Sequence, residues 1–333
     1  MSTSQFELGC NSEYGELKAV VVGRVDGLAY PAFNRNIRYL SGEIAELLST
    51  VPEGGSVDVR AAAPHLWEQL ASAVERVAET FEQHGVTVLR PREFEPRERD
   101  YLGDLQQGAS LLYPADPTYV LGKHVIETCI RRPFRRKEVW ATRNVLQPMI
   151  DADPEVRHVA SPRAELGVAG DEGRGPFLEG GDIIIVGEHD VLCGNTDLTS
   201  NSGGSDWLRR YLEPFGYRVH TVPVTGTWLH LLGVMCLLRE GLAMAYLPAL
   251  GGSLPAPIAD WDVIEVTEEE TRMLATVGMN LDPRRHIIDE RLERVISELE
   301  RHGMEPIPID IEHLSAWGGA VRCVTLPISR ATA

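Results

Sequence analysis

The feature that most constrains this chain's fold is a pattern that occurs three times: an amphipathic helix, a glycine, and at once an extended run. "LWEQLASAVERVAETFEQHG" gives way to "VTVLRP", and "SDWLRRYLEPFGYRVHTVPV" and "ERLERVISELERHGMEPIPID" do the same. In each, apolar residues recur at helical spacing up to Gly85, Gly216 or Gly303, a residue free to take the left-handed conformation that ends a helix. Between these units lie "LKAVVVG" and pairs of short apolar runs with turn residues at their centres: "TYVLG" with "HVIET", "DIIIVG" with "DVLCG", and "CLLREG" with "LAMAYL". A hairpin, a helix and a strand make one module. The expectation is one α/β domain over residues 1–333 built from several such modules, with enough chain to bury a substantial core. The Gly-, Ser- and Pro-bearing segments at 51–56, 161–176 and 250–257 are expected to be loops.

Charge narrows the class of partner. A net charge of -17 argues against nucleic acid, which needs clustered Lys and Arg, and suits a small cationic substrate that an acidic field can steer. No apolar run approaches the length of a membrane span, and no basic segment followed by an apolar one opens the sequence. The expectation is a cytoplasmic protein with neither membrane nor nucleic-acid partner; a homo-oligomer is left open. The five cysteines are odd in number, widely spaced and without a C-x-x-C pair, so neither a disulfide framework nor a zinc site is indicated. "GDEGRGPFLEGGD" has glycines but lacks the spacing and the lysine of a phosphate-binding loop. No cofactor and no metal are expected.

Four places carry residues suited to chemistry. Cys323 follows the Gly318-Gly319 pair in "WGGAVRCVTLP", where open backbone would admit a substrate to a thiol; buried apolar packing is the plainer reading of any single cysteine. His230 stands in the apolar setting of "GTWLHLLGVMC", as a proton carrier or a hydrogen-bonded core residue. Glu179 and Asp182 flank Gly-Gly in "FLEGGDIIIVG", and carboxylates entering a buried strand call for a cationic ligand or a polar network. Asp116 in "YPADPTYVLG", taken alone, reads first as a turn or cap aspartate.

"EYGELKAVVVGR", "GKHVIETCIRRPFRRKE", "VGMNL", "RHGMEPIPID" and "WGGAVRCVTLPISR", in this order, resemble segments of the amidinotransferases, and "VIEVTEEETRMLATVGMNL" is as close to the dimethylarginine hydrolases. Over nearly its whole length the chain is similar to the guanidino-modifying enzymes of the pentein superfamily. The resemblance implies a five-bladed pseudo-symmetric α/β propeller with the active site in its central channel. It assigns Cys323 as nucleophile, His230 as the proton-transfer residue, Glu179 as its acidic partner and Asp116 as the carboxylate that grips the guanidinium, with Asp182, Leu232 and Gly319 at the substrate. A guanidinium keeps its charge near neutral pH, so carboxylates must hold it before a thiolate can attack its carbon. The implied activity is amidino transfer from a guanidino donor to an amine acceptor. Hydrolysis of arginine or an N-substituted arginine is the alternative, and a non-catalytic binding protein of the same fold is the second. Three positions depart from the pattern: Leu232 where many relatives have a clamp Asp, Glu179 where transferases usually have Asp, and Ala115 where an Arg is common.

Overall fold

The computed structural model describes residues 6–33, 37, 40, 42–103, 110–165 and 172–332. Among these residues are five three-stranded sheets and one two-stranded sheet. The five share one construction, an antiparallel pair of strands, one of which also pairs in parallel with a third. Thr118–Leu121, His124–Glu127 and Arg157–Ala160 make one sheet. Ile183–Ile185, Asp190–Asn195 and Arg218–Pro223 make the next. Met235–Arg239, Leu242–Ala245 and Asp262–Glu265 follow, then Met279–Asn280, Arg285–Asp289 and Glu305–Ile309. In the fifth, the two ends of the chain meet: Thr325–Arg330 lies antiparallel to Leu17–Val22, which runs parallel to Thr87–Leu89.

A parallel third strand requires a crossover, usually a helix. Pro64–Gln83, Val139–Ala152, Ser202–Leu212 and Glu293–Arg301 supply it in four sheets. The 3₁₀ turns Leu247–Leu250 and Ala256–Ile258 occupy the crossover in the Met235 sheet. Gly85, Gly216 and Gly303 have φ of +81°, +87° and +77°, the left-handed conformation the sequence calls for at each helix end. The Val139–Ala152 module was not evident from sequence, because Pro148 interrupts its helical pattern. Nor was the pairing of the first and last strands, since no local turn connects them.

Helices and sheets bury several apolar clusters, one joining Val20, Val77, Phe81, Ile287 and Trp317. Ile183–Ile185 is buried throughout, as expected of a strand covered on both faces. At 51–56 a turn leads into the strand Ser56–Asp58. The 250–257 segment turns at Gly251 and Gly252 and runs into Ala256–Ile258. Of 161–176, residues 166–171 lie outside the described residues, and the rest is neither helix nor strand. Among the described residues no helix is long and apolar enough to cross a membrane.

Candidate active site

The candidate residues occupy one recurring position, the entry to the first strand of a hairpin. Asp116 stands just before Thr118–Leu121. Glu179 heads the 3₁₀ turn Gly180–Asp182 that leads into Ile183–Ile185, and His230 heads the turn Leu231–Gly233 before Met235–Arg239. Cys323 precedes Thr325–Arg330. Four sheets each deliver one side chain, and the fifth has the turn Ala275–Val277 at that point.

The three charged groups meet. His230 Nε2 lies 2.8 Å from Glu179 Oε2 and 3.9 Å from Asp116 Oδ1, and all three residues are buried. The Arg131 backbone N–H donates to Glu179 Oε1 at 3.0 Å, and Arg132 Nη2 lies 3.4 Å from Oε2. Burial alone would raise the Glu179 carboxyl, but Arg132 and His230 outweigh it and hold it at about 2. Burial works against a charged His230 ring, yet Asp116, Glu179 and Asp182 together push its pKa above the usual histidine value. These carboxylates favour the charged form of the imidazole. Potential metal-ligand atoms of Asp116, Glu179 and His230 lie within 4.8 Å of one another, a set able to hold a cation.

Asp182, expected at the substrate, accepts its hydrogen bonds from the protein. Oδ1 takes the Leu231 N–H at 2.9 Å, and Oδ2 takes the Thr199 hydroxyl at 2.7 Å and the Ser200 N–H at 3.1 Å. It moors the turn that carries His230. Burial raises the Asp182 carboxyl despite these donors. Leu232 is 6% exposed and packs in an apolar cluster with Leu231, Val234 and Met235. It also lines a small cavity with Glu13, His286 and Arg322, and its carbonyl accepts from Thr276 Oγ1 at 2.8 Å.

Cys323 is the one half-buried thiol among five cysteines, the other four being buried. Burial and the nearby Asp116 carboxylate push its pKa up to about 11, against the pull of Arg322 and Arg135. The thiol is neutral at rest, and Asp116 acts on both it and His230. A Cβ on Gly319 would stand 2.6 Å from Tyr113 Cε1 and 3.2 Å from Cys323 Cβ. Glycine there lets the tyrosine ring press against the turn before Cys323, and the Tyr113 hydroxyl donates to the Trp317 carbonyl at 2.9 Å. Sequence reasoning missed Tyr113, Arg132, Arg135 and Glu138. The signal was present: "RRPFRR" is a dense cationic run in an acidic chain, and buried carboxylates need such partners.

No protein-family model matches the chain. It is 25% identical to inosamine-phosphate amidinotransferase 1 of Streptomyces glaucescens, over 96% of each chain. The solved inosamine-phosphate amidinotransferase of Streptomyces griseus superposes with a TM-score of 0.79 at 20% identity, covering 98% of both chains. DDAH of Pseudomonas aeruginosa, a dimethylarginine dimethylaminohydrolase, superposes with a TM-score of 0.61 at 18% identity over 93% of this chain and 99% of that one. The mixed α/β fold is that of the amidinotransferase and dimethylarginine hydrolase structures. Within that group, the curated proteins to which the chain is similar over nearly its whole length are named amidinotransferases.

Proposed function

We propose that this protein is an amidinotransferase that moves an amidino group from arginine or a related guanidine to an amine through a covalent intermediate on Cys323. The carrying observation is the convergence of Asp116, Glu179 and His230 from equivalent points of different sheets, with His230 Nε2 2.8 Å from Glu179. Five sheets of one construction support a single-domain, five-bladed propeller with these residues at its central channel.

The donor guanidinium enters beside Asp116, and its positive charge offsets the carboxylate that, after burial, does most to keep the Cys323 thiol neutral. The thiol then loses its proton to solvent, and the thiolate attacks the central guanidine carbon. His230 in its protonated form gives its proton to the departing nitrogen as the C–N bond breaks, leaving an amidino group on sulfur and a neutral imidazole. That imidazole takes the proton of an incoming amine, which attacks the amidino carbon; the C–S bond breaks and the thiolate returns. Glu179, itself paired with Arg132, holds the imidazole, and Asp182 holds the turn that bears it.

Leu232, apolar where the resemblance leads one to expect a clamp carboxylate, favours a second reading: hydrolysis of an N-substituted arginine, with water as the acceptor. A product assay separates the two. Incubation with arginine and an amine, such as lysine, glycine or an aminocyclitol phosphate, is expected to release ornithine beyond one equivalent per protein only when the amine is present. Citrulline formed without any amine supports hydrolysis. Neither product from arginine or methylated arginines, under any pairing, would reject both.

A further inference from the structure

The carboxylate proposed to grip the donor is already bound by a guanidinium of the protein's own. Arg135, buried at the end of the turn Pro133–Arg135, donates from Nη1 to Asp116 Oδ2 at 2.8 Å. Its Nε donates to Glu138 Oε2 at 2.9 Å, and its Nη2 lies 2.7 Å from that oxygen. Glu138 is fixed in turn by the Ser110 N–H at Oε1, 3.2 Å away. The Arg135 guanidinium carbon lies 5.4 Å from the centroid of the Tyr113 ring, the ring that crowds Gly319 beside Cys323. One side chain touches both the clamp and the wall of the nucleophile's turn.

We propose that Arg135 is a positioning residue for the reaction: it ties Asp116 by Oδ2 so that Oδ1, the oxygen near His230, is the one that meets the donor, and it sets Tyr113 against Cys323. This rests on the reading of Asp116 as the donor's clamp. A carboxylate with two free oxygens can turn and take a forked grip on a guanidinium; tied by one oxygen, it offers one acceptor in one orientation. Asp116, Glu179 and Glu138 also crowd carboxyls into a buried volume, which needs positive charge that remains when the donor leaves. Arginine meets that need because it does not deprotonate and its planar fork spans two carboxylates; a lysine ammonium is a point charge.

The test compares Arg135→Lys and Arg135→Met in the full chain by donor KM and kcat taken separately, melting temperature, and the pH profile of Cys323 alkylation by iodoacetamide without donor. Asp116, Arg322 and Arg135 are the charged groups acting on the thiol, and the buried state of the other cysteines makes alkylation selective. Arg135→Lys keeps the charge and loses the span, so donor KM is expected to rise about ten- to a hundredfold, the worth of one buried charge-assisted hydrogen bond, with the alkylation profile in place. Arg135→Met is expected to move that profile to higher pH as well. A merely structural role would lower the melting temperature and the active fraction, reducing kcat without raising KM. A folded Arg135→Lys variant with wild-type donor KM overturns the proposal, and it decides the matter even where Arg135→Met does not fold. Wild-type protein inactive on every guanidine would sink the clamp reading itself, and an alkylation profile unmoved by Arg135→Met would then remove Arg135's part as well.

Discussion

At the scale of single residues, the site sets an imidazole whose charged form is favoured beside a thiol whose ionisation is opposed, and this shapes its pH dependence. The Cys323 pKa is raised to about 11 in the free protein, and a bound cation favours the thiolate. The pH profile of kcat/KM, which reports the free protein, is therefore expected to climb further into the alkaline range than that of kcat. Coincident profiles would mean that the donor does nothing to ionise the thiol. His230→Ala is expected to cost about 10²- to 10⁴-fold in kcat, and steady-state rates across pH check it. For Leu232 the structure favours packing over substrate contact: Leu232→Asp would put a carboxylate among Leu231, Val234 and Met235, so a lower melting temperature is expected, with activity falling alongside. An unchanged melting temperature with a shifted preference among arginine and its methylated forms would instead mean that the side chain faces the donor.

At the scale of elements, what was legible in the sequence was local. Three helix–glycine–strand units, three hairpins and their capping glycines follow from periodicity and turn chemistry, and each appears where expected. Non-local pairing was not legible: nothing near "LKAVVVG" indicates that Thr325–Arg330 is its partner. The residues at strand entries were visible one by one, but their convergence was not, because it depends on how the sheets are disposed. Arg135 and Glu138 were hidden because Arg135 bridges Glu138 to Asp116, 19 residues earlier at the entry of the hairpin that Arg135 follows, a contact no local pattern marks. Capping and catalysis separate cleanly at Gly216. A Cβ there meets nothing within 4 Å, so Gly216→Ala pays only for the left-handed backbone, about 1–2 kcal/mol. Chemical denaturation is expected to register that loss while turnover at low temperature stays at the wild-type level. A large loss of turnover in the folded variant would show that the cap is coupled to the site.

At the scale of the whole molecule, a net charge of -17 surrounds a site proposed to take a cation. Such a field speeds encounter and is screened by salt, so kcat/KM for a cationic donor is expected to fall as ionic strength rises while kcat holds. A kcat/KM insensitive to salt would leave the acidic surface without a role in capture. The central claim is that Cys323 carries the amidino group between donor and acceptor, and intact-mass spectrometry of the protein quenched during turnover tests it most directly. The expected result is a mass increase of one amidino group on the peptide containing Cys323, absent from Cys323→Ser and discharged when an amine acceptor is added. Turnover by a folded Cys323→Ser variant at the wild-type rate, with no adduct on the wild-type protein, would contradict it.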